Sequence, residues 1–301
     1  MRTKNDPQIN QLSESLIDEM VTAVGLPPKR LYHGIFWTLF RGLTERLALI
    51  GVPFDRLVPD KGLPAASEWC LSLFCHPPQV QRKHHIPSKG PLLIVSNHPG
   101  AYDALEIFTQ VDRKDIKWIG SEIPFLDLLP HTREHIFFAS RKDSQSRMVA
   151  MRNSIRHLKS GGALLYFAAG HRDPDPAVFP GSMKAMDGWL DVYDTFFKYV
   201  PGLQLLPTVL SGIVSEHWAH HPLTWLRRKQ IDKHRLAEFG QVITQLVHPG
   251  RLFITPAISI GETVNESILR EEAQGGSLLP AVIARGKSLL NDHIQPFGGI
   301  L

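Results

Sequence analysis

The chain has 301 residues, 43% of them hydrophobic and 21% charged, with a formal net charge of +4 at pH 7. These proportions are ordinary for a soluble globular protein of one large α/β domain with a small helical appendage. They exclude little else, although the basic balance suits an anionic substrate or an anionic membrane surface.

Residues 8–83 read as helical. Leu12, Leu16, Ile17, Met20 and Val21 recur at three- and four-residue intervals, Ser13 or Ser15 suits a helix start, and Gly25-Leu26-Pro27-Pro28 suits a stop. An apolar and aromatic run from Leu31 to Arg41 follows, with Leu43, Leu47, Leu49 and Ile50 behind it. Two readings stand for this run: a buried amphipathic helix of a small bundle, or a helix lying in a membrane interface. A last helix around Trp69–Phe74 leads into a linker from His76-Pro77-Pro78 to Ser88-Lys89-Gly90. The N-terminus lacks the apolar core of a secretory signal, and no uncharged stretch approaches the length of a membrane span. Cys70 and Cys75 are apolar-flanked and have no second pair, which fits reduced, buried thiols in a reducing compartment. The histidines are numerous but lack carboxylates or cysteines at ligand spacing, so no metal is expected.

From Pro91 the pattern alternates. Strands are expected at Leu92–Ser96, Ile116–Gly120, Ile136–Ala139, Ala163–Phe167, Leu203–Ser211 and Arg251–Ile260. Helices are expected at Tyr102–Thr109, Ser144–Leu158 and Ile231–Leu246. The predicted architecture is a mixed, largely parallel central sheet flanked by helices, with residues 1–85 as a helical region and 86–301 as the α/β domain.

Chemistry concentrates at strand exits. Asn97-His98-Pro99-Gly100-Ala101-Tyr102-Asp103 places a base and an orienting acid directly after a buried strand, where open α/β sheets carry their sites. It holds no nucleophile, which points to an enzyme that activates a hydroxyl of its substrate. Phe137-Phe138-Ala139-Ser140-Arg141-Lys142-Asp143 ends another strand in two cations, and Phe167-Ala168-Ala169-Gly170-His171-Arg172-Asp173 ends a third. If the strands are parallel, His98, Arg141, Lys142 and Arg172 converge on one rim, as a phosphorylated alcohol would need. Arg141 and Arg172 have the alternative of pairing with Asp143 and Asp173. No Gly-x-Ser-x-Gly elbow and no phosphate-binding glycine loop is present, which argues against a serine esterase and against nucleotide-dependent phosphoryl transfer. Trp225-Leu226-Arg227-Arg228-Lys229 is a basic cluster suited to solvent, to lipid headgroups or to an acidic carrier protein. Nothing suggests nucleic-acid binding.

In this order the blocks resemble the glycerolipid acyltransferase family, over roughly residues 90–265, through Asn97-His98 with Asp103, through Phe138-x-x-Arg141, and through Leu158-Lys159-x-Gly161-Gly162. Where most members have Phe-Pro-Glu-Gly-Thr-Arg, this chain has Phe167-Ala168-Ala169-Gly170-His171-Arg172, so the glutamate position is Ala169. The stretch Gly170-His171-Arg172-Asp173 looks instead like soluble plastid-type glycerol-3-phosphate acyltransferases, which also carry a helical N-terminal domain. The resemblance implies His98 as general base, Asp103 as its partner, and Arg141, Lys142 and Arg172, with His171 and Gly170, as the substrate-phosphate pocket. Backbone N–H groups at the start of the Tyr102 helix are candidates for the oxyanion hole. No cofactor is implied beyond acyl-CoA or acyl carrier protein as co-substrate. Glycerol-3-phosphate is the expected acceptor, with lysophosphatidic acid or a non-phosphorylated lipid as alternatives, and a catalytically silent lipid-binding protein as the reading from another class. The expected location is cytoplasmic, or peripheral on the inner face of a membrane.

Overall fold

The computed structural model describes residues 6–23, 30–81, 86–140 and 143–300. The chain opens with helices α1 (Pro7–Ala23), α2 (Arg30–Lys61) and α3 (Leu63–Leu71) and a short strand β1 (Gln79–Gln81). It continues through β2 (Leu92–Ser96), α4 (Asp103–Gln110), β3 (Lys117–Gly120), the one-turn helices α5 (Pro124–Asp127) and α6 (Pro130–Arg133), and β4 (Ile136–Phe138). Next come α7 (Ser144–Lys159), β5 (Ala163–Phe167), the one-turn α8 (Ser182–Ala185), α9 (Tyr193–Tyr199) and β6 (Gln204–Ser211). The last part holds short α10 (Glu216–Ala219) and α11 (Pro222–Trp225), then α12 (Gln230–Val247), β7 (Ala257–Ile260), α13 (Glu266–Glu272) and α14 (Leu279–Phe297).

The strands form one sheet in the order β1-β7-β6-β2-β5-β3-β4. From β6 to β4 every pairing is parallel, while β7 runs antiparallel to β6 and carries β1 in its own direction. All five residues of β2 and of β5 are buried, as continuous apolar runs in a sheet covered on both faces must be. Alternate side chains serve opposite layers. Leu92, Ile94, Leu165, Phe167 and Leu206 pack with Phe54, Leu63, Phe108 and Leu246, so α2, α3, α4 and α12 cover one face. Leu93, Val95, Leu164, Tyr166 and Leu205 pack with Leu158, Phe196, Leu289 and Leu290, so α7, α9 and α14 cover the other.

Several expectations are corrected at the periphery. The first helix does not start at Ser13 or Ser15 but at Pro7, a residue pre-set for a first helical turn, with Asp6 Oδ1 accepting from Gln8 N at 3.0 Å. Ser13 is buried inside α1, its hydroxyl 2.7 Å from that of Thr44 on α2. The expected stop at Gly25–Pro28 lies outside the described residues. Within α2, Ala48 and Val52 are buried in a bundle with α1, but Ile35 and Leu39 nearer its start are exposed. The expected linker contains β1, registered with residues 257–259; three residues with two glutamines carry no apolar signal. The last strand begins at Ala257 rather than Arg251, because Pro256 lacks a ladder N–H, and Ile254 makes a single bridge to Cys75. Cys70 and Cys75 are free; burial pushes the Cys70 thiol up to about 12 and that of Cys75 also upward. Among the described residues no helix is long and apolar enough to cross a membrane.

Candidate active site

β2 runs through the middle of the sheet, with Ser96 in register with Phe167 of β5 and Thr208 of β6. Beyond Ser96 the main chain leaves the sheet, and the side chain of buried Asn97 takes over its ladder. Asn97 Nδ2 donates to the Leu210 carbonyl at 2.8 Å, and Leu210 N donates to Asn97 Oδ1 at 2.9 Å. Both polar ends of the amide are satisfied against β6, so the backbone can turn at the next residue without stranding a strand partner.

That residue is His98, held on three sides. Its N–H donates to Asp173 Oδ2 at 2.9 Å, and its carbonyl accepts from Asp173 N at 2.9 Å. Its ring stacks on Phe167 with centroids 4.2 Å apart. Its Nδ1 lies 2.6 Å from Asp103 Oδ2. Asp103 is buried at the first position of α4, where the helix dipole favours a carboxylate. It also accepts from Gly100 N at 3.1 Å and from Ala104 N at 2.6 Å. With Nδ1–H donated to Asp103, the lone pair of the imidazole is at Nε2, and the side chain remains 26% exposed and so reachable from solvent. Of the amides at the start of the Tyr102 helix, expected as oxyanion donors, that of Ala104 is occupied by Asp103 instead. Gly100 itself is required by closeness, since a Cβ there would lie 2.6 Å from Ile213 Cγ2.

A third element, α12, braces the same loop. His234 Nε2 donates to the Pro99 carbonyl at 2.7 Å and its ring packs on Phe179; burial pulls its pKa down to about 4, so it is neutral near pH 7. Glu238 forms an ion pair with Arg172. Gln241 bridges the Ser215 N–H and the Ile213 carbonyl, at 2.6 and 3.0 Å. Gln245 accepts from the Tyr102 hydroxyl at 2.7 Å and donates to the Phe74 carbonyl at 3.0 Å. These four buried polar residues recur at spacings of four, three and four on one helical face. That polar stripe on an otherwise amphipathic helix was the available signal for residues that pattern reading passes over.

The loop after β5 is pinned by two buried carboxylates. Asp173 binds the His98 backbone, and Asp175 accepts from Gly212, Ile213 and Val214 N at 2.8–2.9 Å. Burial raises both, to about 6. Asp173 is therefore not the partner of Arg172, whose charge is met by Glu238. Arg172 is half-buried and within electrostatic reach of Asp103 and of exposed Arg235. His171 is exposed, with Nδ1 3.0 Å from the Arg172 carbonyl, and exposed Gly170 turns the chain at φ +62°. Arg141 and Lys142 lie outside the described residues. Their neighbour Asp143 caps α7 through the N–H groups of Gln145 and Ser146. The strand preceding them, β4, is three positions from β2 in the sheet, which sets the two strands about 14 Å apart. The segment Phe179-Pro180-Gly181-Ser182 forms a turn into α8, with Gly181 at φ +95°. Among the described residues no three His, Cys, Asp or Glu side chains are arranged to hold a metal ion.

Residues 77–194, from β1 to the start of α9, match the family model described as Acyltransferase. This segment, less than half of the chain, is similar to acyltransferases. No curated protein matches the chain. Among solved structures it is similar to the crystal structure of the 1-acyl-sn-glycerophosphate (LPA) acyltransferase, PlsC, from Thermotoga maritima. The two are 18% identical over 93% of this chain and 97% of that one, with a TM-score of 0.42. The matched segment contains the His98–Asp103 pair, Asp173 and Arg172, whereas the bracing helix α12 lies beyond it.

Proposed function

We propose that this protein is an acyltransferase that moves a fatty acyl group from an acyl thioester, acyl-CoA or acyl carrier protein, to a hydroxyl of glycerol-3-phosphate or a closely related glycerolipid precursor. The observation that carries the reading is the 2.6 Å contact between His98 Nδ1 and buried Asp103, on a ring whose other nitrogen is free to face solvent. In this mechanism His98 Nε2 takes the proton of the acceptor hydroxyl as its oxygen attacks the thioester carbonyl. Asp103 stabilises the imidazolium, and the tetrahedral intermediate expels the thiolate, which recovers that proton. General-base catalysis of this kind contributes about 10²–10⁴-fold. Holding the acceptor by its phosphate supplies further rate through orientation.

Arg172, within electrostatic reach of Asp103 and of Arg235, supports an anionic acceptor. Glu238 orients Arg172 and partly offsets its charge, which favours a phosphate bound by several groups over one bound by Arg172 alone. Arg141, Lys142, His171 and the turn at Gly170 complete the proposed pocket. The products partition into lipid, so the reading includes a cytoplasmic protein attached peripherally to the inner face of a membrane.

The test is thiol release from acyl-CoA and from acyl carrier protein, each offered with glycerol-3-phosphate, lysophosphatidic acid and a non-phosphorylated lysolipid. Acceptor-dependent release that vanishes in His98→Ala is the expected result. Release without acceptor, with free fatty acid accumulating, would mean thioester hydrolysis. No release from any pairing would mean a silent lipid-binding protein.

A further inference from the structure

We propose that residues 223–229 are the surface by which the protein seats on an anionic lipid bilayer, beside the mouth of the site. Trp225 and Leu226 are 72% and 77% exposed, more than any other large apolar side chain among the described residues, and Leu223 is exposed next to them. Their outward setting is fixed rather than loose. Thr224 between them is buried, and its hydroxyl bonds to the carbonyls of His221 at 2.7 Å and Ala219 at 3.3 Å. Arg227, Arg228 and Lys229 follow at once, all exposed. None of the three makes an ion pair among the described residues.

Tryptophan and leucine enter the boundary between headgroups and acyl chains, and adjacent cations meet the phosphates of anionic lipids. An acidic protein surface would be met by the three cations alone. The two most exposed apolar side chains standing at their head select the bilayer. The surface is also close to the chemistry. α12 starts one residue after Lys229, and His234 on its second turn bonds to the Pro99 carbonyl. Five residues of helix rise about 7.5 Å, so a lipid drawn to this patch lies near His98. The purpose of the surface rests on the lipid substrate proposed above, but binding can be measured without turnover.

The purified full chain is sedimented with vesicles of phosphatidylcholine alone and of phosphatidylcholine with 30% phosphatidylglycerol (a chosen composition, about one anionic lipid in three). Binding to the anionic vesicles, lost at high salt, is expected. Arg227→Gln/Arg228→Gln/Lys229→Gln should weaken it on the order of a hundredfold, at about fivefold per cation. Trp225→Ala/Leu226→Ala should weaken it at least about tenfold while leaving the charge intact. Equal binding by wild type and both variants, or no binding by wild type, overturns the proposal. So does a weakened interaction of the variants with acyl carrier protein at unchanged vesicle binding. Vesicle binding that depends on the patch, in a protein that transfers no acyl group, would instead remove the proposed function and leave this surface standing.

Discussion

His98 and Asp173 exchange two hydrogen bonds, N–H to carboxylate and carbonyl to N–H, each 2.9 Å long, although 75 residues separate them. The exchange fixes the backbone of the proposed base independently of the ring contact to Asp103. Asp173→Ala is therefore expected to lower kcat about 10- to 100-fold with little change in KM, since it loosens the base and not the substrate contacts. Asp173→Asn keeps an oxygen for the His98 N–H and carries no buried charge, so it should recover most of the loss. Steady-state kinetics beside thermal melting check this. Equal losses in both variants at unchanged Tm would mean that the carboxylate acts by its charge.

His98→Ala should reduce turnover by about 10²–10⁴-fold with the far-UV spectrum unchanged. Asp103→Asn should also be strongly impaired, because an amide cannot both accept from His98 Nδ1–H and stabilise the imidazolium. Near wild-type kcat in Asp103→Asn, measured by thiol release, removes the dyad.

Glu106, on α4 one turn beyond Asp103, is fully buried and neither carboxyl oxygen has a hydrogen-bond partner. Burial raises its pKa from 4.5 to about 8. The folded state thus holds this proton through a range where the unfolded chain has released it. The group's stability contribution is full below about pH 4.5 and is lost as pH rises through about 8. Glu106→Gln removes that loss. Urea unfolding of wild type and variant should differ little at pH 4.5 and diverge in favour of the variant by pH 8.5, by on the order of 3 kcal/mol. A difference that stays constant with pH contradicts the assignment.

A Cβ on Gly240 would lie 2.3 Å from the Trp218 ring, whereas one on Gly34 in α2 would meet nothing within 4 Å. Gly240→Ala should destabilise by about 1–3 kcal/mol. It should also cost activity, because displacing α12 moves His234, Glu238 and Gln245 together. Gly34→Ala in the same assays should be neutral or slightly stabilising. Equal Tm for the two variants would mean that α12 tolerates displacement from Trp218.

The sheet was legible because its central strands are short apolar runs bounded by glycine, proline and polar turns; β5 spans the expected residues and β2 likewise. The edge was not, since Gln79–Gln81 has neither alternation nor apolar content and becomes a strand through β7 alone. His98 and Asp103 were legible as a pair because strand, turn and helix are consecutive. Asp173, His234 and Glu238 were not, for their partners lie 66 or more residues away in sequence. Arg172 shows the same limit: its nearest carboxylate along the chain is Asp173, yet its partner in space is on α12.

The stripe from His234 to Gln245 has a consequence for synthesis. The chain emerges from its N-terminus, so the loop carrying His98 is made more than a hundred residues before the helix that braces it. Until that helix arrives, the Pro99 carbonyl, the Tyr102 hydroxyl and the Arg172 guanidinium lack the partners they have in the finished fold. Closing such distant contacts is a slow, non-local step. An ordered His98 loop is thus acquired only after α12 has been translated.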